Sequence, residues 1–189
     1  MALIAATFLA PLVAAYLWIY LGHPTGNTMN YGTLIRPPQP VQSFTMTDLE
    51  GQRAGIEVLQ GKWTLLYVGS ERCLAQCRHD LYKIERVRLA QGDNVQRVQS
   101  LYLAPQSIEG RVVADTLVQY RGLRGYRISR EELAAMAPGL SAGAGKGLES
   151  ERIYVVDPLG NLMMFYSPDA DPSGISRDLE RLLRASHIG

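Results

Sequence analysis

The stretch Trp63-Thr64-Leu65-Leu66-Tyr67-Val68-Gly69-Ser70-Glu71-Arg72-Cys73-Leu74-Ala75-Gln76-Cys77 decides how the chain reads. Its first seven residues are a nearly continuous apolar run rich in β-formers, the pattern of a strand covered on both faces. A short polar loop, Ser70-Glu71-Arg72, follows. From there the period changes. Leu74, Cys77, Leu81, Ile84 and Val87 recur at steps of three and four. That spacing predicts an amphipathic helix reaching about Ala90 and stopped by Gly92-Asp93-Asn94. The only two cysteines of the chain lie where strand becomes helix. Their spacing of four puts both on one helical face.

A cysteine at a helix N-terminus has its thiolate stabilised by free backbone N–H groups and by the helix dipole. Arg72 and Arg78 add positive potential. The thiolate is the reactive species both for disulfide exchange and for binding a soft metal. Two buried cysteines acting as small hydrophobes would be the bland alternative. A structural zinc site needs four ligands, and the chain has three histidines: His23, His79 and His187. Each reads more simply as a solvated side chain. Met163-Met164 could attract copper, but consecutive strand residues face opposite sides, which suits core packing of one and edge exposure of the other. No Gly-x-Ser-x-Gly elbow and no His-Glu-x-x-His pair supports a hydrolase.

Working outward, Phe44-Thr45-Met46-Thr47 reads as a short strand and Val98–Ala104 as another, ended by Pro105. Residues 109–120 and 129–136 read as helices, the second with Ser129 as N-cap and Glu132 completing a capping-box pattern. Gly139–Gly147 is a glycine-rich loop without phosphate-loop spacing. Ile153–Val156 and Leu162–Tyr166 form a hairpin around Asp157-Pro158-Leu159-Gly160-Asn161. Asp171-Pro172-Ser173-Gly174 opens a last helix, Ile175–Ala185. The order β, β, α, β, α, β, β, α predicts an α/β fold: a thioredoxin-like mixed central sheet flanked by helices on both faces.

The chain has 189 residues, 47% of them hydrophobic, and a net charge of +1. That length suits one domain plus an anchor, and the mixed charges give no reason to expect nucleic acid. Met1–Leu21 carries no charged side chain and just suffices to cross a bilayer core. Tyr16, Trp18 and Tyr20 sit near its end, where aromatic rings favour the headgroup layer. A signal peptide cut after Val13-Ala14-Ala15 would lack a basic n-region, and a buried core helix rarely lacks every charge. Residues 1–22 are therefore read as a transmembrane anchor, 23–42 as a proline-rich linker and 43–189 as the domain. The first basic residue, Arg36, follows the span and on charge alone favours a cytoplasmic domain.

Leu65-Leu66-Tyr67-Val68-Gly69, Cys73-x-x-x-Cys77 and the late Tyr154-Val155-Val156-Asp157-Pro158-Leu159-Gly160-Asn161 hairpin resemble the Sco/SenC family over roughly residues 40–186. Those are membrane-tethered, thioredoxin-fold proteins that help assemble the copper site of cytochrome c oxidase. Val156–Met164, Pro168-Asp169-Ala170-Asp171-Pro172 and the basic last helix further resemble a small proteobacterial group of transmembrane proteins associated with cytochrome oxidase genes. The resemblance implies a single-pass protein of the bacterial inner membrane with its domain in the periplasm, against the Arg36 argument. It implies an oxidase subunit, or its assembly factors, as partner. It also implies catalytic or Cu(I)-ligating roles for Cys73 and Cys77. Family members hold copper with the two cysteines and a histidine a few residues before the late tyrosine. Here that stretch is Leu148-Glu149-Ser150-Glu151. The departure favours thiol–disulfide exchange over a Cu(I) chaperone, with a redox-silent docking factor as the third reading.

Overall fold

Trp63–Val68 forms a strand, β4, in which every residue is buried. It lies inside an eight-stranded sheet, parallel to β5 (Val98–Pro105) and antiparallel to β9 (Arg152–Val156). A computed structural model of the chain describes residues 9–11, 13–14, 16–17, 30–138, 141–142, 145–146, 148 and 151–186. The remaining sheet strands are β1 (Thr33–Pro40), β2 (Met46–Asp48), β3 (Arg53–Ala54), β6 (Leu123–Ile128) and β10 (Asn161–Tyr166). Their order is β1-β10-β9-β4-β5-β6-β2-β3, with β4, β5 and β6 parallel and the remaining pairs antiparallel. A separate two-stranded ribbon pairs β7 (Ser141–Ala142) with β8 (Gly145–Lys146).

The alternation along β4 sorts the core into two layers. Trp63, Leu65 and Tyr67 face α1 (Ala75–Leu89), α2 (Gly110–Leu117) and α4 (Pro172–Ala185), meeting Leu81, Ile84, Val113, Leu117, Ile175 and Leu179. Leu66 and Val68 face the other layer, with Phe44, Leu59, Tyr154 and Met136 of α3 (Arg130–Met136). Both faces of the sheet are thus covered, as the unbroken apolar run of β4 predicts. The expected helix ends also form. The Ser129 hydroxyl accepts from the N–H of Glu132, and Asp171 caps α4 by accepting from Ser173 N–H. The Glu132 carboxylate does not close the capping box. It accepts instead from Thr45 N–H at 2.8 Å, tying α3 to the segment before β2.

Three expectations are corrected. Residues 33–40, read as linker, form β1 on β10 at the sheet edge. The pairing breaks register between Leu34 and Gln39. Pro37 and Pro38 fall inside that break, where an edge strand tolerates their missing donors. Strand β6 stands in a stretch for which the sequence predicts no element, because Arg124, Gly125 and Arg127 interrupt its apolar pattern. Gly125 is what lets α2 approach: a Cβ there would lie 2.6 Å from Leu117 Cδ1. Leu74, counted on the apolar face of the helix, is instead its exposed N-cap residue. The expected anchor, residues 1–22, lies largely outside the described residues. No helix among the described residues is long and apolar enough to cross a membrane.

The chain enters the domain under firm control. Asp178 on α4, 2% exposed, accepts from the backbone N–H groups of Tyr31 at 2.8 Å and Gly32 at 2.9 Å. It also accepts from the Tyr166 hydroxyl at 3.1 Å. Burial, then the Asp178 charge, pushes the Tyr166 phenol far above its ordinary range, so it remains a donor. Asp178→Ala leaves the Tyr31 and Gly32 N–H groups without their acceptor and the Tyr166 hydroxyl with only the weakly accepting Met164 sulfur. It should lower unfolding stability by about 2–4 kcal/mol in urea denaturation, with Asp178→Asn in between.

Candidate thiol–disulfide site

The carboxyl end of β4 delivers the cysteines. The N–H of Gly69 donates to the Leu103 carbonyl at 2.8 Å, extending the β4–β5 pairing by one residue. A side chain at that position has no room, since a Cβ would lie 2.6 Å from Tyr102 Oη. The loop then turns. The Ser70 hydroxyl lies 3.0 Å from Glu151 Oε1 and 3.2 Å from the Arg72 carbonyl. The Glu71 carboxylate accepts from Ser107 Oγ at 2.7 Å. Leu74 N–H donates back to the Arg72 carbonyl, and α1 begins with Arg78 N–H donating to Leu74.

Cys73 and Cys77 form a disulfide with Cα atoms 5.0 Å apart, inside the usual span of such a bond. The two sulfurs are not equivalent. Cys77 is 1% exposed and packs in the core cluster with Tyr67, Tyr102 and Leu81. Cys73 is half-buried and lies against that cluster from outside. The first turn of α1 contains no acidic residue and no side-chain cap. The free N–H groups and positive dipole end of that turn therefore remain available to a sulfur anion. Arg78 reaches back, its Nη1 3.5 Å from the Cys73 carbonyl. Arg72 is exposed on the loop itself. The arrangement suits nucleophilic attack by the outer sulfur and closure by the inner one.

Beneath the disulfide lies a polar cluster that the sequence pattern did not flag. Asp80 and Lys83 form an ion pair at 3.0 Å on the buried face of α1, at 0% and 2% side-chain exposure. Lys83 Nζ also donates to the Pro168 carbonyl at 2.8 Å. Gln76 Nε2 lies 3.2 Å from each Asp80 oxygen and from that carbonyl. The ring of Tyr67 stacks on that of Tyr102 with centroids 6.0 Å apart. The buried Tyr67 hydroxyl turns toward Asp80 without hydrogen-bond geometry. Burial first, then the charges of Asp80 and Glu151, drives its phenol far above the ordinary range. Burial alone pushes Tyr102 up to about 12. Both phenols stay neutral across physiological pH, so neither adds negative charge beside the sulfurs. The only sequence signal for the ion pair is its i, i+3 spacing on a face otherwise apolar.

His79 and the Met163–Met164 pair fall where the bland readings put them. His79 is exposed on α1. Met164 is buried with its sulfur 3.3 Å from the Tyr166 hydroxyl, while Met163 on the opposite face is half-exposed. Tyr154 is fully buried. His23, His187 and residues 149–150 lie outside the described residues. At Glu151, φ is 61° and the N–H donates to the Val68 carbonyl at 2.6 Å. The stretch that carries the histidine in the resembling family thus delivers a carboxylate to Ser70. Among the described residues, no cluster of three or more His, Cys, Asp or Glu side chains could hold a metal ion. The donor set present is the two sulfurs, which once reduced fit a soft ion such as Cu(I) rather than a harder one.

Comparison with known proteins agrees with this geometry. The chain belongs to the family described as transmembrane-like, thioredoxin-like, C-terminal domain, which matches residues 63–186. It is similar to the structure of Bradyrhizobium japonicum ScoI with copper bound, at 21% identity and a TM-score of 0.58, covering 75% of this chain and 98% of that one. It is likewise similar to apo Sco1 from Thermus thermophilus, at 22% identity and a TM-score of 0.64, covering 81% and 96%. A third similar structure is BsSco, described as a Sco cytochrome c oxidase assembly protein with a disulfide switch, at 13% identity and a TM-score of 0.59, covering 79% and 96%. At these identities the likeness establishes the fold, which is a Sco/SenC-like thioredoxin fold. No curated protein matches the sequence.

Lys83→Met strands the Asp80 carboxylate in the core and should cost about 3–5 kcal/mol in denaturant titration. The double variant Asp80→Asn, Lys83→Met should recover part of that loss, giving a coupling energy in a double-mutant cycle.

Proposed function

We propose that this protein is a membrane-anchored assembly factor for cytochrome c oxidase that acts by thiol–disulfide exchange through Cys73 and Cys77. One observation carries the reading. A half-exposed sulfur and a buried one are joined in a disulfide at an uncapped helix N-terminus. In the reduced chain the Cys73 thiolate attacks one sulfur of a partner disulfide. The partner's other sulfur leaves as a thiolate and takes up a proton. Deprotonated Cys77 then attacks Cys73, and the first partner sulfur leaves in turn. Two electrons have passed to the partner, and the Cys73–Cys77 disulfide remains. A dithiol donor returns the pair to its reduced form.

The partner on this reading is an oxidase subunit, or one of its assembly factors, whose cysteines must be reduced before they can take copper. Its support is the Sco-like fold together with the description of BsSco as an assembly protein with a disulfide switch. Residues 1–22 supply a single-pass anchor in the bacterial inner membrane. The domain faces the periplasm, where a cysteine pair can cycle through a disulfide. The family's description as transmembrane-like supports the anchor.

A second reading rests on the copper held by Bradyrhizobium japonicum ScoI. Here the reduced Cys73 and Cys77 carry Cu(I) as cargo between them. A Cys77→Ser variant separates the two. Exchange predicts that it accumulates mixed disulfides through Cys73 on non-reducing gels and that Cys73→Ser accumulates none. Carriage predicts loss of Cu(I) in both variants, with no trapped partner.

A further inference from the structure

Beside Cys73 lies a cleft of about 180 Å³. Its walls are mainly Tyr102, Ile108, Val112, Val113 and Thr116, with Glu71 and Arg72 at the loop side. Val112 on α2 is 52% exposed and Leu74, between the cysteines, is 62% exposed. Two large aliphatic side chains thus stand in water next to the one sulfur of the pair that is not fully buried. Neither is needed by the core, which α2 reaches through Val113 and Leu117. The local charge is lopsided. Glu71, also on the cleft wall, has its charge offset by Arg130, whose Nη2 lies 3.9 Å from Oε1, and it accepts from Ser107. Arg72 is exposed, and Arg78 sits against the Cys73 carbonyl.

Exchange demands that the incoming sulfur meet Cys73 nearly in line with the bond that breaks. The residues flanking a partner's cysteine must therefore lie along the surface around Cys73, and this cleft is a recess that Cys73 itself lines. We propose that it is the docking groove for the partner: an extended segment whose cysteine is flanked on one side by an aliphatic residue and on the other by a carboxylate. The aliphatic side chain covers Val112 and Ile108. The carboxylate meets Arg72 and Arg78. The inference rests on the thiol–disulfide reading and adds the recognition that directs it.

The test uses the full chain in detergent micelles, reduced and carrying Cys77→Ser. Three peptides present one cysteine as a mixed disulfide with thionitrobenzoate. One has Leu and Glu flanking it, one has Gly in place of Leu, and one has Lys in place of Glu. Attack by Cys73 forms the peptide–Cys73 disulfide and releases thionitrobenzoate, which absorbs visible light. Each rate is divided by that of the mercaptoethanol–thionitrobenzoate disulfide, which has the same leaving group and no flanking residues. The Leu and Glu peptide should exceed the Gly peptide by about tenfold, the scale set by burying part of one aliphatic side chain, and should exceed the Lys peptide by a margin that shrinks as salt is raised. Val112→Asp should erase the Leu advantage, and Val118→Asp, at the end of α2 and outside the cleft, should keep it. Equal normalised rates for the three peptides, or a Leu advantage that survives Val112→Asp, overturn the groove. Failure of Cys73 to react even with the small disulfide overturns the thiol–disulfide reading, and the groove with it.

Discussion

Burial of β4 on both faces is the constraint from which the rest of the site follows. A strand sandwiched between two apolar layers cannot slide, because a one-residue slip would exchange the two sets of side chains. Its pairing with β5 on one edge and β9 on the other fixes its length and its end point. The chain must then leave the sheet at Gly69, where Tyr102 leaves no space for a side chain. The loop that follows has only a few residues before α1 packs back against the same sheet. Cys73 is therefore held on the outer side of that turn, and Cys77, in the first helical turn, is drawn into the core.

This geometry divides the labour of the two sulfurs. An outer sulfur near free helix N–H groups and two arginines is the one that can meet another molecule. The inner sulfur, buried in the core cluster that includes Tyr67 and Tyr102, can meet only its neighbour. Burial raises the phenol pKa values of both tyrosines, so they remain uncharged donors well beyond physiological pH. The Asp80–Lys83 pair fastens α1 to the Pro168 carbonyl and so to the segment leading into α4. A rigid support of this kind keeps Cys77 within reach of Cys73 through the cycle of breaking and re-forming their bond.

Much of this was legible in the residues. The apolar run of β4, the change of period at Cys73 and the Asp157–Asn161 turn each reported one local rule, and the structure obeys all three. The cysteine pair was visible for the same reason: two cysteines in a chain that has no others, at a strand-to-helix junction. What was hidden depended on partners distant in sequence. Strand β6 carries two arginines and a glycine, and only the packing of α2 onto Gly125 explains that composition. Strand β1 contains three prolines, Pro37, Pro38 and Pro40, that an isolated reading assigns to a linker. Its place is set by pairing with β10, more than a hundred residues on. Asp80 and Lys83 look like surface charges until Pro168 and Gln76 are seen to satisfy them. The departure at Leu148–Glu151 was readable as a missing histidine. That Glu151 turns to Ser70 was not, because it depends on a backbone conformation that sequence alone does not announce.

The central claim is that Cys73 and Cys77 cycle between dithiol and disulfide rather than serving as a fixed staple or a silent remnant. The most direct measurement is the redox equilibrium of the pair against buffers of reduced and oxidised glutathione, read by counting free thiols after acid quenching. The account predicts a single two-electron transition between zero and two free thiols within the range that glutathione mixtures can set. A pair that stays fully oxidised across every mixture would mark the bond as structural and contradict the account.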